Sequence, residues 1–335
     1  MLEHGGRLRA AAQQYAIAEA DWLDLSTGIA PWSWPIAPVD ARDWARLPET
    51  DDGLEAAACA YYNAAQVLPV PGSQAAIQAL PRLRGPVGKV GVLSPCYAEH
   101  AHAWRKSGFL VREVLEHEVE HFIDVFNVLV VVNPNNPTGR LIAPEQLLKW
   151  HARLAERGGW LVVDEAFMDT APAHSLAAET WRSGLIVLRS FGKFFGLAGA
   201  RLGFVLAEAG LLQALASEIG PWAVSGPTRK VGLACLSDLS GQQLQRERCE
   251  YAALRLSALL SAHGLEPDGG CALFQWLVTA HAEPLHEFAA RRGVLLRLFK
   301  AERAEHSSLR FGLPHSEADW QRLETLLHDY RKDLK

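Results

Sequence analysis

The chain has 335 residues, a mass of 36.8 kDa, a net charge of −5 and a pI near 6.2, which suits about two domains. With 49% apolar and 21% charged residues, the composition is that of an ordinary soluble globular protein, and it excludes disordered, collagen-like and membrane-spanning classes. The balance of 33 Lys and Arg against 38 Asp and Glu lacks the basic footprint of a nucleic-acid binder and of a polybasic membrane-surface segment.

The opening residues, MLEHGGRLRAAAQQYAIAEADW, mix charge with alanine and hold no apolar core of signal-peptide type. Pro31, Trp32, Trp34, Pro35 and Pro38 resist both helix and central strand, so residues 1–35 are expected to form an arm. From there to about residue 225, short β-branched runs alternate with segments of helical period, which predicts an α/β fold with a mostly parallel sheet and crossover helices. The expected strands are 67–70 (VLPV), 89–93 (KVGVL), 109–115 (FLVREVL), 128–132 (VLVVV), 160–164 (WLVVD), 185–189 (LIVLR) and 201–206 (RLGFVL). VLVVV lacks alternation and is expected to be covered on both faces. Helices are expected from Ser73 and from Pro144. Past residue 225 the pattern turns to a long helix, the strands FQWLVT, GVLLRLF and SLRFGLP, and a closing helix from Ser316. Residues 36–225 therefore read as a large domain and 226–335 as a smaller α+β domain packing with the arm.

Four motifs carry chemistry, each at the expected end of a strand. PVPGSQAAIQAL places Gly72, Ser73 and Gln74 at a helix N-terminus, whose free amides attract phosphate; Ser73 as a plain N-cap explains the same letters. VVNPNNPTG carries Asn136 into a turn at the edge where ligands of open α/β sheets bind, although such clusters also make turns without function. In WLVVDEAF, Asp164 is a strand-end carboxylate, costly to bury without a cation or good donors, and a protonated heterocycle would suit it; an internal salt bridge would too. In RSFGKFFGLAGARLGF, Lys193 among apolar neighbours is expected to have a lowered pKa and to act as a nucleophile toward an aldehyde. Ser190 and Arg201 can serve a phosphate, and the plain alternative is surface side chains.

Taken together in the order GSQ, NPTG, DEAF, SFGK, Arg201 and Arg310, these residues resemble the fold-type I, aspartate-aminotransferase-like superfamily across nearly the whole chain. The resemblance implies pyridoxal 5'-phosphate as cofactor: Lys193 for the aldehyde, Asp164 for the ring nitrogen, Asn136 for the phenolic oxygen, and Gly72, Ser73, Gln74, Ser190 and Arg201 for the phosphate. It further implies that Tyr97, in SPCYAEH, stacks on the ring, and that Arg310 holds a substrate carboxylate or other anion. Within the superfamily, EHGGRL, DLSTGIAPW and DEAFMD are similar to the threonine-phosphate decarboxylases of the cobalamin pathway, in the histidinol-phosphate-aminotransferase-like branch. That group converts O-phospho-threonine to 1-aminopropan-2-ol phosphate, and by the same resemblance His4 and Arg297 join Arg310 as candidate substrate ligands. The alternatives are an aminotransferase of histidinol-phosphate type and, more distantly, a non-catalytic module that binds the cofactor.

The sequence departs from the superfamily pattern at Phe167, where many relatives have a tyrosine, at Gly192, where a serine is common, and at Arg46–Glu49 (RLPE), where a tyrosine–proline reaches a neighbouring subunit's phosphate. A homodimer is expected from the superfamily, with no nucleic-acid or membrane partner. HEVEH (117–121) matches the zinc-peptidase HExxH letters, but it sits between two expected strands, so no metal is expected. His100 and His102 in EHAHAW read as a polar helix face. Cys59, Cys96, Cys235, Cys249 and Cys271 form no CxxC pair, which with the N-terminus leads to an expected cytoplasmic location.

Overall fold

The computed structural model describes residues 5–85, 88–301 and 305–333. Its strands in chain order are β1 (Leu23–Asp24), β2 (Leu68–Val70), β3 (Lys89–Leu93), β4 (Leu110–Val114), β5 (Val128–Val132), β6 (Trp160–Asp164), β7 (Leu185–Ser190), β8 (Gly203–Leu206), β9 (Gly269–Cys271), β10 (Phe274–Val278), β11 (Val294–Leu295), β12 (Arg297–Phe299) and β13 (Ser308–Gly312). The chain divides into two compact units, one of residues 33–136 and 141–245, the other of residues 1–32, 137–140 and 246–335.

The first unit is built on a seven-stranded sheet in the order β2-β8-β7-β6-β5-β3-β4. β3 to β7 pair in parallel, whereas β8 runs against both of its neighbours, β7 and β2. β2 therefore points the same way as β3 to β7, and one edge of the sheet collects the carboxyl ends of six strands together with the beginning of β8. Every residue of β5 is buried, because crossover helices cover both faces of a parallel sheet. Leu129, Val131, Leu161, Val163 and Val187 enter one apolar core, and Val128, Val130, Val162, Ile186 and Leu188 enter the other.

In the second unit, β12-β13-β10-β9 form an antiparallel sheet and β1 pairs in parallel with β11. The run GVLLRLF, expected as one strand, is thus two: Val294–Leu295 joins β1 and Arg297–Phe299 joins β13. Leu296, between them, is buried. The arm contributes the helix Leu8–Tyr15 and β1. The boundary falls at 245/246 rather than at 225/226. The helix Gly226–Ser237 stays with the large unit because Arg229, 4% exposed, donates to Asp52 at 2.6 and 2.8 Å and to Glu55 at 2.7 Å. Among the described residues no helix is long and apolar enough to cross a membrane.

Candidate active site

The phosphate end begins where β2 hands over to the helix Ser73–Leu83. Gly72 there has φ +74°, and a Cβ on it would lie 2.7 Å from Arg201 Nη2. The guanidinium therefore closes over the turn only because residue 72 has no side chain. Arg201 is itself in the left-handed region, at φ +52°. Since β8 is the reversed strand, Arg201 just before it reaches the same sheet edge as Gly72. Ser73 Oγ and Ser190 Oγ lie 2.7 Å apart, and a Cβ on Gly203 would lie 2.5 Å from Ser73 N. Two hydroxyls, the first amides of a helix and a guanidinium thus form one small cradle for a dianion.

Asp164 ends β6. It is almost wholly buried, with Oδ1 accepting the Ala166 N–H at 3.1 Å and Oδ2 lying 2.8 Å from His100 Nε2. His100 corrects the expectation of a polar helix face: it is 1% exposed, because on the helix Glu99–Lys106 it shares a face with Ala103 and Trp104, one turn away. Only His102 faces outward. The Tyr97 ring meets His100 edge to face at 6.1 Å, and its hydroxyl donates to Gln74 Oε1 at 3.2 Å. Burial, with the charges of Glu99 and Asp164, pushes the Tyr97 phenol up to about 12, so the hydroxyl stays protonated at neutral pH. The Gln74 side chain is engaged elsewhere: its Nε2 donates to Glu99 Oε2 at 3.0 Å, which leaves its backbone N–H for an anion.

Lys193 lies in the short helix Phe191–Phe194 directly after β7, beside the buried Phe191, Phe194 and Phe195. Its Nζ is 5.9 Å from the centroid of the buried Phe167 ring. A Cβ on Gly192 would lie 2.6 Å from Ala198 Cα, so a serine before the lysine would collide with backbone here. β6 and β7 pair Asp164 with Leu188, which sets the aspartate and the lysine at the ends of adjacent strands. Asn136 follows β5, next to β6 on its other side. Asn133 braces this loop by donating to Ile142 O at 3.1 Å and accepting Ile142 N–H at 2.8 Å, and Asn135 donates to Pro95 O at 3.0 Å.

Below the edge lies a buried ion cluster that the sequence reading did not single out. Arg189 Nη1 and Nη2 meet Glu165 Oε2 at 2.7 Å and Asp169 Oδ1 at 2.9 Å, and its guanidinium stacks 4.5 Å from the Tyr62 ring centroid. Burial opposes the Arg189 charge, but Asp169 and Glu165 outweigh it and hold its pKa above the ordinary range. The cluster ties the residue after Asp164 to the residue before Ser190.

In the second unit, Arg297 and Arg310 are direct cross-strand partners. Arg310 is buried, donates to Ser26 O at 2.7 Å and lies 5.1 Å from the Phe274 ring centroid. Burial and the Arg297 charge bring its pKa down to about 10. Two like charges held opposite each other across a strand pair repel, and burial adds to that cost. His4 lies outside the described residues. The HEVEH letters span a single 3₁₀ turn and the four-residue helix Val119–Phe122. There Glu118 accepts the Leu115 N–H, and Glu120 accepts from Gln146, Trp150 and Arg153. Among the described residues no group of three or more His, Cys, Asp or Glu side chains is arranged to hold a metal ion.

Residues 37–323 match the family model described as aminotransferase class I and II. A threonine-phosphate decarboxylase of Pseudomonas aeruginosa is 61% identical over 332 residues, covering 99% of both chains. A second threonine-phosphate decarboxylase, from a Sinorhizobium species, is 42% identical over 88% of this chain and 89% of its own. In three dimensions, histidinol-phosphate aminotransferase from Sinorhizobium meliloti, solved with pyridoxal-5'-phosphate, superposes with a TM-score of 0.87 at 19% identity, covering 100% of this chain and 96% of that one. The chain belongs to the aminotransferase class I and II family.

Proposed function

We propose that the chain is a pyridoxal-phosphate-dependent carboxy-lyase that converts L-threonine O-3-phosphate to (R)-1-aminopropan-2-ol phosphate and carbon dioxide. The observation that carries this is near-full-length identity of 61% to a threonine-phosphate decarboxylase, in a chain whose sheet edge holds a lysine, a buried aspartate and a phosphate cradle. When bound, the cofactor supplies an aldehyde for the substrate amine and a protonated ring that accepts the electron pair left when carbon dioxide departs.

The protein's own residues divide the remaining work. Gly72 and the amides of Ser73 and Gln74, the Ser73 and Ser190 hydroxyls and Arg201 bind the cofactor phosphate. Asp164, steadied by His100, would hold a proton on the ring nitrogen. Asn136 would donate to the phenolic oxygen, with Phe167 offering no hydroxyl to help it. Tyr97 would pack on the ring face, and Lys193 would hold the aldehyde and be the group placed to supply a proton to the substrate carbon. Arg297 and Arg310 bind the substrate anions, and the pair suits the phosphate, whose charge approaches −2 at neutral pH. The proposal extends to a homodimer, a cytoplasmic location and a place in building the cobalamin side arm.

The test is a product assay. O-phospho-threonine alone is expected to release carbon dioxide, and histidinol phosphate with 2-oxoglutarate to give no glutamate. Glutamate without carbon dioxide would replace the lyase by an aminotransferase, and release from phosphoserine alone would move the substrate. Borohydride should fix the cofactor to Lys193 and leave Lys193→Ala unlabelled.

A further inference from the structure

The side chains of Glu99, Gln74 and Tyr97 form a chain of hydrogen bonds with one direction. A carboxylate only accepts, so Glu99 Oε2, receiving Gln74 Nε2 at 3.0 Å, fixes which way round the Gln74 amide lies. That choice points Gln74 Oε1 at Tyr97, whose hydroxyl donates to it at 3.2 Å. Gln78, one turn along the same helix, donates to the same Glu99 oxygen at 3.3 Å and gives the carboxylate a second donor. Reversing the amide would set its carbonyl oxygen against a carboxylate and its N–H₂ against a hydroxyl that then loses its acceptor.

We propose that Glu99 is a positioning residue: it orients the Gln74 amide and, through it, the hydroxyl and ring plane of Tyr97. The inference rests on the reading of Tyr97 as the aromatic that packs on the cofactor ring. It gives a carboxylate two residues beyond that tyrosine a part in holding the glutamine side chain that Tyr97 meets. The phenol's pKa near 12 agrees with it, since only a protonated hydroxyl donates to Oε1.

The test uses the holoenzyme and reads the visible circular dichroism of the bound cofactor, which reports how asymmetrically its ring is held, alongside cofactor affinity. Glu99→Ala and Gln74→Leu are each expected to reduce the dichroic band at least twofold and to weaken cofactor binding several-fold, with Glu99→Gln retaining part of the signal. In a Tyr97→Phe background, which keeps the ring but not the hydroxyl, adding Glu99→Ala should change the band no further. An unchanged band in both single variants, or full additivity with Tyr97→Phe, overturns the relay while leaving Tyr97 at the ring. If Tyr97→Ala itself leaves band and affinity unchanged, the placement of Tyr97 fails, and the relay with it.

Discussion

His100 Nε2 stands 2.8 Å from Asp164 Oδ2, with both side chains shielded from water. The histidine supplies one of the two donors that make a carboxylate tolerable at the end of β6. His100→Phe keeps the volume but removes that donor, and a buried acceptor left without its partner costs about 1–3 kcal/mol. The variant should unfold at lower urea by that amount, bind the cofactor more weakly and lose at least tenfold in decarboxylation rate; His100→Asn should recover part of each.

Two glycines at the site each leave no room for a side chain. Gly192→Ser adds the customary hydroxyl, but its Cβ meets Ala198 Cα at 2.6 Å, and overpacking of this kind costs about 1–3 kcal/mol. We expect a lower melting temperature and no gain in cofactor affinity. Gly72→Ala drives a methyl toward Arg201 Nη2 at a positive φ. A fluorescence titration should show cofactor affinity falling at least tenfold.

Arg189 neutralises two buried carboxylates. Arg189→Met leaves Glu165 and Asp169 without their cation, a change on the order of 3–5 kcal/mol. Denaturation should show a loss of that size, and Arg189→Lys, which cannot bridge both acids with a planar fork, should fall between.

Arg310 is the opposite case. Its value in the folded chain, about 10, lies below the ordinary 12.5, so folding disfavours the cationic form. The cost is in full force at neutral pH and eases only as pH rises past about 10, while an anion offsets it at any lower pH. Phosphate or O-phospho-threonine should therefore raise the melting temperature at pH 7–8. Arg297→Leu should raise the melting temperature of the free protein, shrink the ligand-induced shift and increase KM for the substrate.

The strands of the large sheet were legible because fully apolar runs of this length have few other uses, and so was the place of Lys193, Asp164, Asn136 and Arg201 at one sheet edge, because each lies at or within a few residues of the end or start of such a run. His100 was not, since the face a helical residue turns inward depends on what the helix packs against, and EHAHAW alternates too finely to show it. Arg189 was hidden inside LIVLR, where one charge at the end of an apolar run reads as an exit to solvent; Glu165 and Asp169 reverse that. Gln74 was legible as a residue of the cradle but not in its orientation, because Glu99 claims the amide. GVLLRLF gave no sign that Leu296 divides it between two sheets.

The reversed strand has a bearing on biosynthesis. β2 leaves the ribosome early, yet its sole neighbour in the sheet, β8, is made far later, so the phosphate cradle cannot close while the intervening segments are being synthesised. Such long-range pairing is slow to form. Cofactor capture thus becomes a late checkpoint on a nascent chain, and stalled or truncated products ending before Arg201 should emerge colourless.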